Sequence, residues 1–214
     1  MPNFVQAKLI SFFSQYQKQT FNKAEILIYP RTVPQGVFYL RKGEVRMYAI
    51  NKNGNELTIN IFKPHSFFPM NWVVNDFRDD YIYEATVDAE VFIGPKDKFL
   101  AFLHQEPDII FDLLQRIYKG LGGYFLRMES LLTGDAYFKT VVAICIYARR
   151  FGVKNEDASG FTVDVTQKQL AALAGLTRET VTREIKKIAD KKLVAYQGKT
   201  LIVLDINRLE KEIL

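Results

Sequence analysis

The chain has 214 residues, enough for two compact domains, and its composition, 48% hydrophobic and 25% charged, is that of an ordinary folded protein. No apolar run approaches the ~20 residues of a membrane span and the N-terminus lacks a secretion signal, so we expect a cytoplasmic protein with no membrane partner. The single cysteine, Cys145, excludes an internal disulfide, a cysteine-ligated zinc site and a four-thiolate iron–sulfur cluster.

The net charge of +5 is confined to the last third of the sequence. Residues 1–138 carry 15 basic and 15 acidic side chains, whereas residues 139–214 carry 14 basic and 9 acidic ones. A basic segment joined to a neutral one is typical of a polyanion-binding module attached to another domain. Basic surfaces are common, so the charge alone does not identify the partner.

The first half of the chain predicts a helix followed by an antiparallel sheet structure. Helical spacing of apolar residues extends from Ala7 to Tyr16. Between Glu25 and Phe99, short runs rich in β-branched and aromatic residues alternate with Pro and Gly, and they predict the strands Glu25–Tyr29, Val37–Arg41, Glu44–Ala49, Glu56–Phe62, Tyr81–Val87 and Glu90–Ile93. Many short, evenly spaced strands are typical of a sandwich or barrel.

A long helix beginning at Pro107 is predicted next, because apolar residues recur at alternating spacings of four and three. We call this row the seam; it comprises Ile110, Leu114, Ile117, Leu121, Tyr124, Met128 and Leu131. A heptad row of this length needs a partner helix, and the simplest partner is a second copy of the chain. The alternative is that the helix packs lengthwise on its own sheet. Gly120, Gly122 and Gly123 indicate close helix approach or a point of bending.

The predicted boundary between the two domains lies directly after this helix. Gly134 can end the long helix, and Asp135 can cap the next one, Ala136–Arg150. A polar loop over Val153–Gly160 then leads to a short strand, Phe161–Val165.

Two short helices joined by a tight turn follow this strand. Thr166 and Gln169 form a Thr-x-x-Gln capping box for the first helix, which Gly175 ends. Thr177 caps the second helix, in which apolar residues recur at positions i, i+4 and i+7: Val181, Ile185 and Ile188. This is the layout of a helix-turn-helix.

The second helix is predicted to expose side chains suited to DNA: Arg178, Glu179, Thr182, Arg183, Lys186 and Lys187. Arginine can bond O6 and N7 of guanine, glutamate can accept from the cytosine amino group, and Thr and Lys suit phosphates. The alternative is a solvated helix with intrahelical ion pairs worth ~0.2–0.5 kcal/mol each. We favour DNA reading, because such motifs contact bases with the N-terminal turns of their second helix. The strands Leu193–Tyr196 and Thr200–Leu204 add a wing whose tip, Lys199, would meet the DNA backbone.

The segment Gln167–Arg183, QKQLAALAGLTRETVTR, resembles the helix-turn-helix signature of the cyclic-AMP receptor protein/FNR (Crp/Fnr) family of bacterial transcription regulators. Val37–Tyr48, VFYLRKGEVRMY, is similar to the strand-Gly-strand pattern of the family's β-roll. The resemblance covers nearly the whole chain. It implies an α+β fold with an antiparallel, cyclic-nucleotide-binding-like β-roll over residues 1–106, a dimerisation helix over 107–133 and a winged helix-turn-helix over 134–214.

The resemblance also implies partners and contact residues. The partners are double-stranded DNA with a near-palindromic, G-containing operator, a second copy of the chain, and RNA polymerase. Arg178, Glu179 and Arg183 match the family's base-reading positions. Six further residues are assigned to contacts with the DNA backbone: Thr166, Gln167, Thr177, Thr180, Lys186 and Lys199.

The sensor half departs from the family's cyclic-nucleotide pattern. Where nucleotide binders have a Gly-Glu step and an Arg-Ser-Ala-like triplet, this chain has Phe67–Met70 and Tyr83–Ala85. Tyr83 replaces the phosphate-pairing arginine, and Glu84 adds a carboxylate that would repel a phosphate if unscreened. Cyclic AMP is therefore not expected as the effector, although Arg78 nearby could substitute.

No cofactor is predicted for the sensor half. Its unusual residues indicate either an effector pocket or a well-filled core: Phe67, Phe68, Met70, Trp72, Tyr83 and Glu84. His65 could in principle ligate haem, but a single histidine is more often a surface or core residue. We therefore expect no metal, haem or iron–sulfur cluster, and the effector is not identified.

Two other functions compete with DNA reading as interpretations of the sequence. A cupin-like metalloenzyme would need several histidines and a carboxylate at fixed strand spacing, and His65 and His104 are the only histidines. No phosphate loop or nucleophile motif occurs either, so the sequence does not predict an enzyme. The other alternative is a β-roll sensor acting through protein contacts without DNA. The basic last third and the Arg178, Glu179 and Arg183 set argue against it.

Overall fold

A computed structural model describes residues 3–78, 80–155, 159–198 and 200–213, and it divides the chain into two compact units. The first unit contains residues 1–49 and 58–118, and the second contains residues 50–57 and 119–214. This division falls inside the long helix, whereas the sequence predicts domain boundaries at the two ends of that helix.

Antiparallel sheets with helices around them form the N-terminal half. The helices are α1 (Asn3–Phe13), α2 (Met70–Asn75) and α3 (Lys96–Gln105). The strands in chain order are β1 (Gln17–Phe21), β2 (Ile26–Ile28), β3 (Val37–Lys42), β4 (Val45–Ile50), β5 (Glu56–Phe62), β6 (Phe67–Phe68), β7 (Ile82–Ala85) and β8 (Ala89–Gly94). One sheet has the order β1–β8–β3–β6 and the other has the order β2–β7–β4–β5.

All the strands predicted in this half occur, and their ends differ from the predicted ones by at most two residues. The sequence missed β1, because its residues QKQTF are mostly polar and show no apolar alternation. Backbone pairing with β8, from Gln17 opposite Ile93 to Phe21 opposite Ala89, places this segment in the sheet. Helix α3 was also missed, since only Phe99 and Leu103 on it are buried.

The two residues of β6 belong to different parts of the core, because successive strand residues point to opposite faces. Phe67 packs with the helices, and its ring centroid lies 5.3 Å from that of Phe99. Phe68 lies between the sheets, with its ring centroid 5.5 Å from that of Tyr83 and 5.7 Å from that of Phe38. The sheet that contains β6 is therefore covered by apolar side chains on both faces.

The C-terminal half consists of helices packed around a small sheet. Its helices are α4 (Pro107–Thr133), α5 (Ala136–Phe151), α6 (Gln167–Ala174), α7 (Arg178–Asp190) and α8 (Ile206–Glu210). Its strands are β9 (Val153–Lys154), β10 (Phe161–Asp164), β11 (Val194–Gln197) and β12 (Thr200–Val203), in the antiparallel order β11–β12–β10–β9. No helix among the described residues is long and apolar enough to cross a membrane.

Helix α5 is the centre of this half. Asp135 caps it by accepting a hydrogen bond from the Phe138 backbone N at 2.8 Å, as the sequence predicts. Half of its side chains are buried, and α6, α7 and α8 pack against it. Cys145 lies in this core, and burial raises the pKa of its thiol to about 12.

Replacing Phe68 with alanine should lower the free energy of unfolding by about 3–5 kcal/mol, because the ring is 1% exposed and its removal leaves a cavity between the sheets. Urea denaturation followed by circular dichroism measures this change. Phe77→Ala is the control, since that ring is 61% exposed and its loss should change the stability by less than about 0.5 kcal/mol. Equal effects of the two substitutions would contradict the packing described here.

Candidate nucleic-acid interface

The turn between α6 and α7 is defined by local hydrogen bonds. The Gln169 backbone N donates to Thr166 Oγ1 at 3.2 Å, and the Thr166 backbone N donates to Gln169 Oε1 at 2.8 Å, which completes the predicted capping box. Gly175 ends α6 with a φ of +66°, a conformation that favours glycine. Thr177 then begins α7 by accepting from the Thr180 backbone N at 3.3 Å.

Helix α7 has a buried apolar face and an exposed polar face. Val181, Ile185 and Ile188 are buried against the rest of the unit, as their spacing predicts. The exposed face contains the predicted DNA-reading residues together with their neighbours: Arg178, Glu179, Thr182, Arg183, Lys186 and Lys187. The structure therefore brings the candidate base-reading residues together on one accessible surface, which we call the α7 face.

One buried carboxylate on α7, which the sequence analysis missed, organises part of this face. Glu184 is buried, and its oxygens lie 3.1 Å from Arg183 Nε and 2.7 Å from Lys187 Nζ. The hydrogen bond from Lys187, followed by that from Arg183, holds the pKa of Glu184 below its usual range. Arg183 thus has an intrahelical partner in the free chain. The only sequence signal for this was the Glu–Lys spacing of three.

The residues assigned to the DNA backbone lie beside the α7 face. Thr182 Oγ1 donates to Gln167 Oε1 at 2.6 Å, a bond that joins the start of α6 to α7. The hydroxyls of Thr177 and Thr180 lie 3.0 Å apart at the start of α7, and Lys186 is exposed further along it. Lys199, predicted at the tip of the wing, lies outside the described residues.

The wing itself is a strand pair. In it, Val194 lies opposite Val203 and Gln197 lies opposite Thr200. Thr200 Oγ1 donates to Asp164 Oδ1 at 2.7 Å, which ties β12 to β10. The wing is thereby attached to the strand that leads into α6.

The seam residues on α4 are largely uncovered within one chain. Leu121 and Leu131 are half-buried. The other five seam residues are 42–57% exposed: Ile110, Leu114, Ile117, Tyr124 and Met128. A second row, not noticed in the sequence, lies next to the seam at spacings of seven and is 61–77% exposed: Phe111, Tyr118, Phe125 and Leu132. Helix α4 therefore presents a wide apolar surface.

The six residues considered for an effector pocket do not meet at one place. Phe67, Met70 and Trp72 pack in the core beside the helices, whereas Phe68 and Tyr83 are buried between the sheets. Glu84 projects from β7 opposite Arg46 of β4. The alternation of strand residues between faces separates them.

Glu84 is not the unscreened charge that the sequence suggested. Its Oε1 lies 3.0 Å from Arg46 Nη2, and its Oε2 accepts a hydrogen bond from Tyr48 Oη at 3.0 Å. The expectation failed because the partners lie 36 and 38 residues away in the sequence. Arg78, the suggested substitute for a phosphate ligand, is exposed.

The two histidines have different surroundings. His65 lies in the first unit, where its ring nitrogens are 2.7 Å from Gln6 Nε2 and 2.9 Å from Tyr39 Oη. His104 is exposed near the end of α3. Within the described part of the chain, no group of three or more His, Cys, Asp or Glu side chains is placed to hold a metal ion.

Two family models match the parts of the chain described above. A Crp-like helix-turn-helix domain matches residues 142–212, and a cyclic nucleotide-binding domain matches residues 18–106. The chain belongs to the Crp/Fnr family of transcription regulators. The predicted family and α+β fold, with a β-rich N-terminal domain, a long helix and a C-terminal helix-turn-helix, are thereby confirmed.

Relatives and solved structures of the Crp/Fnr family extend over most of the chain. The global nitrogen regulator of Synechocystis sp. is 24% identical over 187 residues, covering 86% of this chain and 83% of that protein. The transcriptional regulator SdrP of Thermus thermophilus is 25% identical, covering 90% and 92%. A CooA mutant from Carboxydothermus hydrogenoformans has the same fold, with a TM-score of 0.78 at 18% identity over 95% of this chain and 90% of that one.

These Crp/Fnr relatives are transcription regulators, which confirms the prediction that the chain is not an enzyme. The family membership also establishes a DNA-binding helix-turn-helix. The cupin-like metalloenzyme considered above is therefore set aside.

Thr166→Ala should lower the free energy of unfolding by about 1 kcal/mol, because it removes the hydroxyl that accepts the capping bond of α6. Differential scanning calorimetry should then show the melting temperature falling by about 2–4 °C. Thr166→Ser keeps the hydroxyl and should stay close to the parent protein. A serine variant as unstable as the alanine variant would show that the hydroxyl at position 166 does not stabilise α6.

Proposed function

We propose that this chain acts as a homodimer that reads a near-palindromic DNA operator through the α7 face, and that cyclic AMP does not control it. The observation that carries the proposal is the exposure of Arg178, Glu179 and Arg183 together on the second helix of the helix-turn-helix. This is the helix that enters the major groove in such motifs.

The chemistry of the α7 face suits base reading. Arg178 begins the helix, so its long side chain can reach a guanine edge in the groove, and Glu179 beside it can accept from cytosine. Arg183 would exchange its contact with Glu184 for one with DNA. Because the ion pair is lost in this exchange, the net contribution of Arg183 to DNA affinity is smaller than the DNA contact alone would give. Thr177, Thr180 and Lys186 flank these residues and suit phosphate contacts.

The apolar surface of α4 supports dimerisation. Large contiguous apolar surfaces on a folded chain mark interaction sites. The face of α4 that the chain uses for its own core is a different one, since Ile109 is buried and Leu113 packs beside it in the first unit. Most of the seam and the second row are thus available to a second copy, whereas Leu131 at the end of the seam also contacts the turn after α6. Together the two rows form the wide apolar stripe of a helix that packs against a partner helix.

A two-fold axis would relate the two copies of α7 in such a dimer. Symmetric dimers of helix-turn-helix proteins contact half-sites about 34–36 Å apart, one helical turn of DNA, and the operator repeats the symmetry of the protein. A near-palindromic operator follows from this geometry.

The interior of the sensor sheets argues against cyclic AMP as the effector. The rings of Phe38, Phe62, Phe68 and Tyr83 stack on one another between the sheets, at centroid distances of 4.6–5.9 Å. An anionic phosphate placed among them would lose its hydration without gaining a charged partner. Glu84 does not contribute to this effect, because Arg46 already neutralises its charge. The aromatic packing is what disfavours the phosphate.

Arg178→Ala should weaken binding to the preferred operator by about 1–3 kcal/mol and relax specificity at one G·C pair, because a bidentate guanine contact is lost. The operator is first selected from a random DNA pool, and gel-shift titrations then compare it with a scrambled sequence. The same titrations are repeated with cyclic AMP, which should leave both affinities unchanged.

Lys186→Ala is the matched control on the same helix. As a phosphate contact, Lys186 should affect selected and scrambled DNA alike and reduce the salt slope of log K by about one. If Arg178→Ala also weakened both DNAs equally, the base-reading assignment would be wrong. Tighter operator binding with cyclic AMP would contradict the effector proposal alone.

Ile117→Arg should convert the dimer to a monomer, because it places a charge in the middle of the seam, where burial against a second helix would be costly. Sedimentation velocity would show the change in mass. Gln115→Arg adds the same side chain at an exposed position of α4 outside the seam and should leave the dimer intact. A parent protein that sediments as a monomer, or an unchanged mass for Ile117→Arg, would contradict seam-mediated dimerisation.

A further inference from the structure

A buried arginine of α4 contacts the end of α6 within the second unit. Arg127 is only 8% exposed, and its side-chain Nε donates a hydrogen bond to the Leu173 carbonyl oxygen at 3.2 Å. Burial lowers the pKa of the guanidinium, although arginine remains protonated in proteins. A permanent positive charge is therefore enclosed between α4 and the helix-turn-helix.

The acceptor explains why an arginine is suited to this position. Leu173 lies in the last turn of α6, where the carbonyls lack partners within the helix and the helix dipole is negative. The guanidinium of Arg127 supplies both a donor and a compensating charge. A planar guanidinium also restricts the direction of its hydrogen bonds more than an ammonium does.

A second contact lies one helical turn along α4. A methyl group built on Gly175, the residue that ends α6, would lie 3.1 Å from Leu131 Cδ2. The backbone of the turn therefore approaches α4 closely, and Gly175 permits this approach. Arg127 and Leu131, four residues apart on one side of α4, together hold the end of α6.

These two contacts constrain the turn differently. The contact at Leu131 is apolar and has little directional preference, so it fixes a distance. A hydrogen bond such as that from Arg127 prefers an angle above about 150° and weakens steeply below about 120°, so it also restricts the orientation of the two groups. The polar contact is the one that can set the angle between α4 and α6.

We propose that Arg127 is a positioning residue for DNA reading, which sets the spacing and angle of the two α7 helices in the dimer. The inference rests on the proposed function, because α4 also carries the seam that would join the two copies. Each reading helix would then be connected to the dimer axis through the contact between Arg127 and Leu173. Since half-sites must be met about 34–36 Å apart, a loose connection would lower affinity for the complete operator and not for one half.

The test compares Arg127→Met with the parent protein on three kinds of DNA: the complete operator, a single half-site, and operators whose central spacer is one or two base pairs longer or shorter. Methionine keeps an apolar stem of similar length and removes the charge and the donor. We expect binding to the complete operator to weaken about tenfold, half-site binding to stay within about twofold, and the preference among spacer lengths to decrease.

Arg127→Lys provides a second variant, in case methionine prevents folding. It keeps the charge, but its flexible ammonium should not fix the angle, so it should also lose affinity for the complete operator while keeping half-site binding. Lys119→Met is the matched control, since it removes one positive charge from an exposed position of the same helix and should not change the spacer preference.

The outcomes are distinguishable. Equal losses on the operator and on the half-site would show that Arg127 supports the reading head itself, which would overturn the proposal. Parent-like spacer preference in the lysine variant would overturn it as well. If the parent protein bound the complete operator no better than a half-site, the proposed dimeric reading would fail, whatever Arg127 does.

Discussion

Helix α4 packs in the core of the first unit, packs against α6 in the second unit and presents an exposed apolar seam. The rest of the structure depends on how these three roles are divided among its faces. Ile109 is buried in the core of the first unit, and Arg127 is buried against α6 in the second. Apart from its last residue, Leu131, which also contacts the turn after α6, the seam remains on a side that neither core uses. Because a helix repeats every 3.6 residues, these faces can coexist along 27 residues only if each is assigned to a separate stripe.

The glycines of α4 illustrate the cost of this arrangement. Each glycine in a helix interior destabilises it by about 1 kcal/mol relative to alanine. The helix nevertheless continues through Gly120, Gly122 and Gly123 without a break. A methyl group at Gly122 or Gly123 would meet nothing within 4 Å, so packing within one chain does not explain why those two positions lack a side chain.

The C-terminal half was largely predictable, because its signals are local. A capping box, a glycine with positive φ and an apolar repeat act over three to seven residues, and each can be read without knowing the tertiary structure. Both ends of α6 and the start of α7 accordingly agree with the sequence prediction. The exposed α7 face follows from the same repeat, since burying Val181, Ile185 and Ile188 directs the charged residues outward.

The features that the sequence did not predict depend on contacts between distant residues. The edge strand β1 is defined by pairing with β8, about 70 residues later, and not by its own composition. The partner of Glu84 is on a different strand, and the partner of Arg127 lies 46 residues away on another helix. Arg127 is flanked by apolar residues of α4, yet nothing in that pattern indicates that its charge would be buried against a helix end.

The N-terminal domain combines the strand arrangement of a cyclic nucleotide-binding domain with an interior that is packed with aromatic rings. The match to a cyclic nucleotide-binding domain concerns the arrangement of strands, whereas recognition of a nucleotide depends on individual side chains. Aromatic rings bury 150–250 Å² each, so a ligand entering between the sheets would have to replace a large apolar contact area. Under the proposed function, an effector that entered between the sheets would have to be largely apolar, because polar groups would give up hydration among Phe62, Phe68 and Tyr83 without gaining partners. The arrangement of strands alone therefore does not determine which ligand such a domain binds.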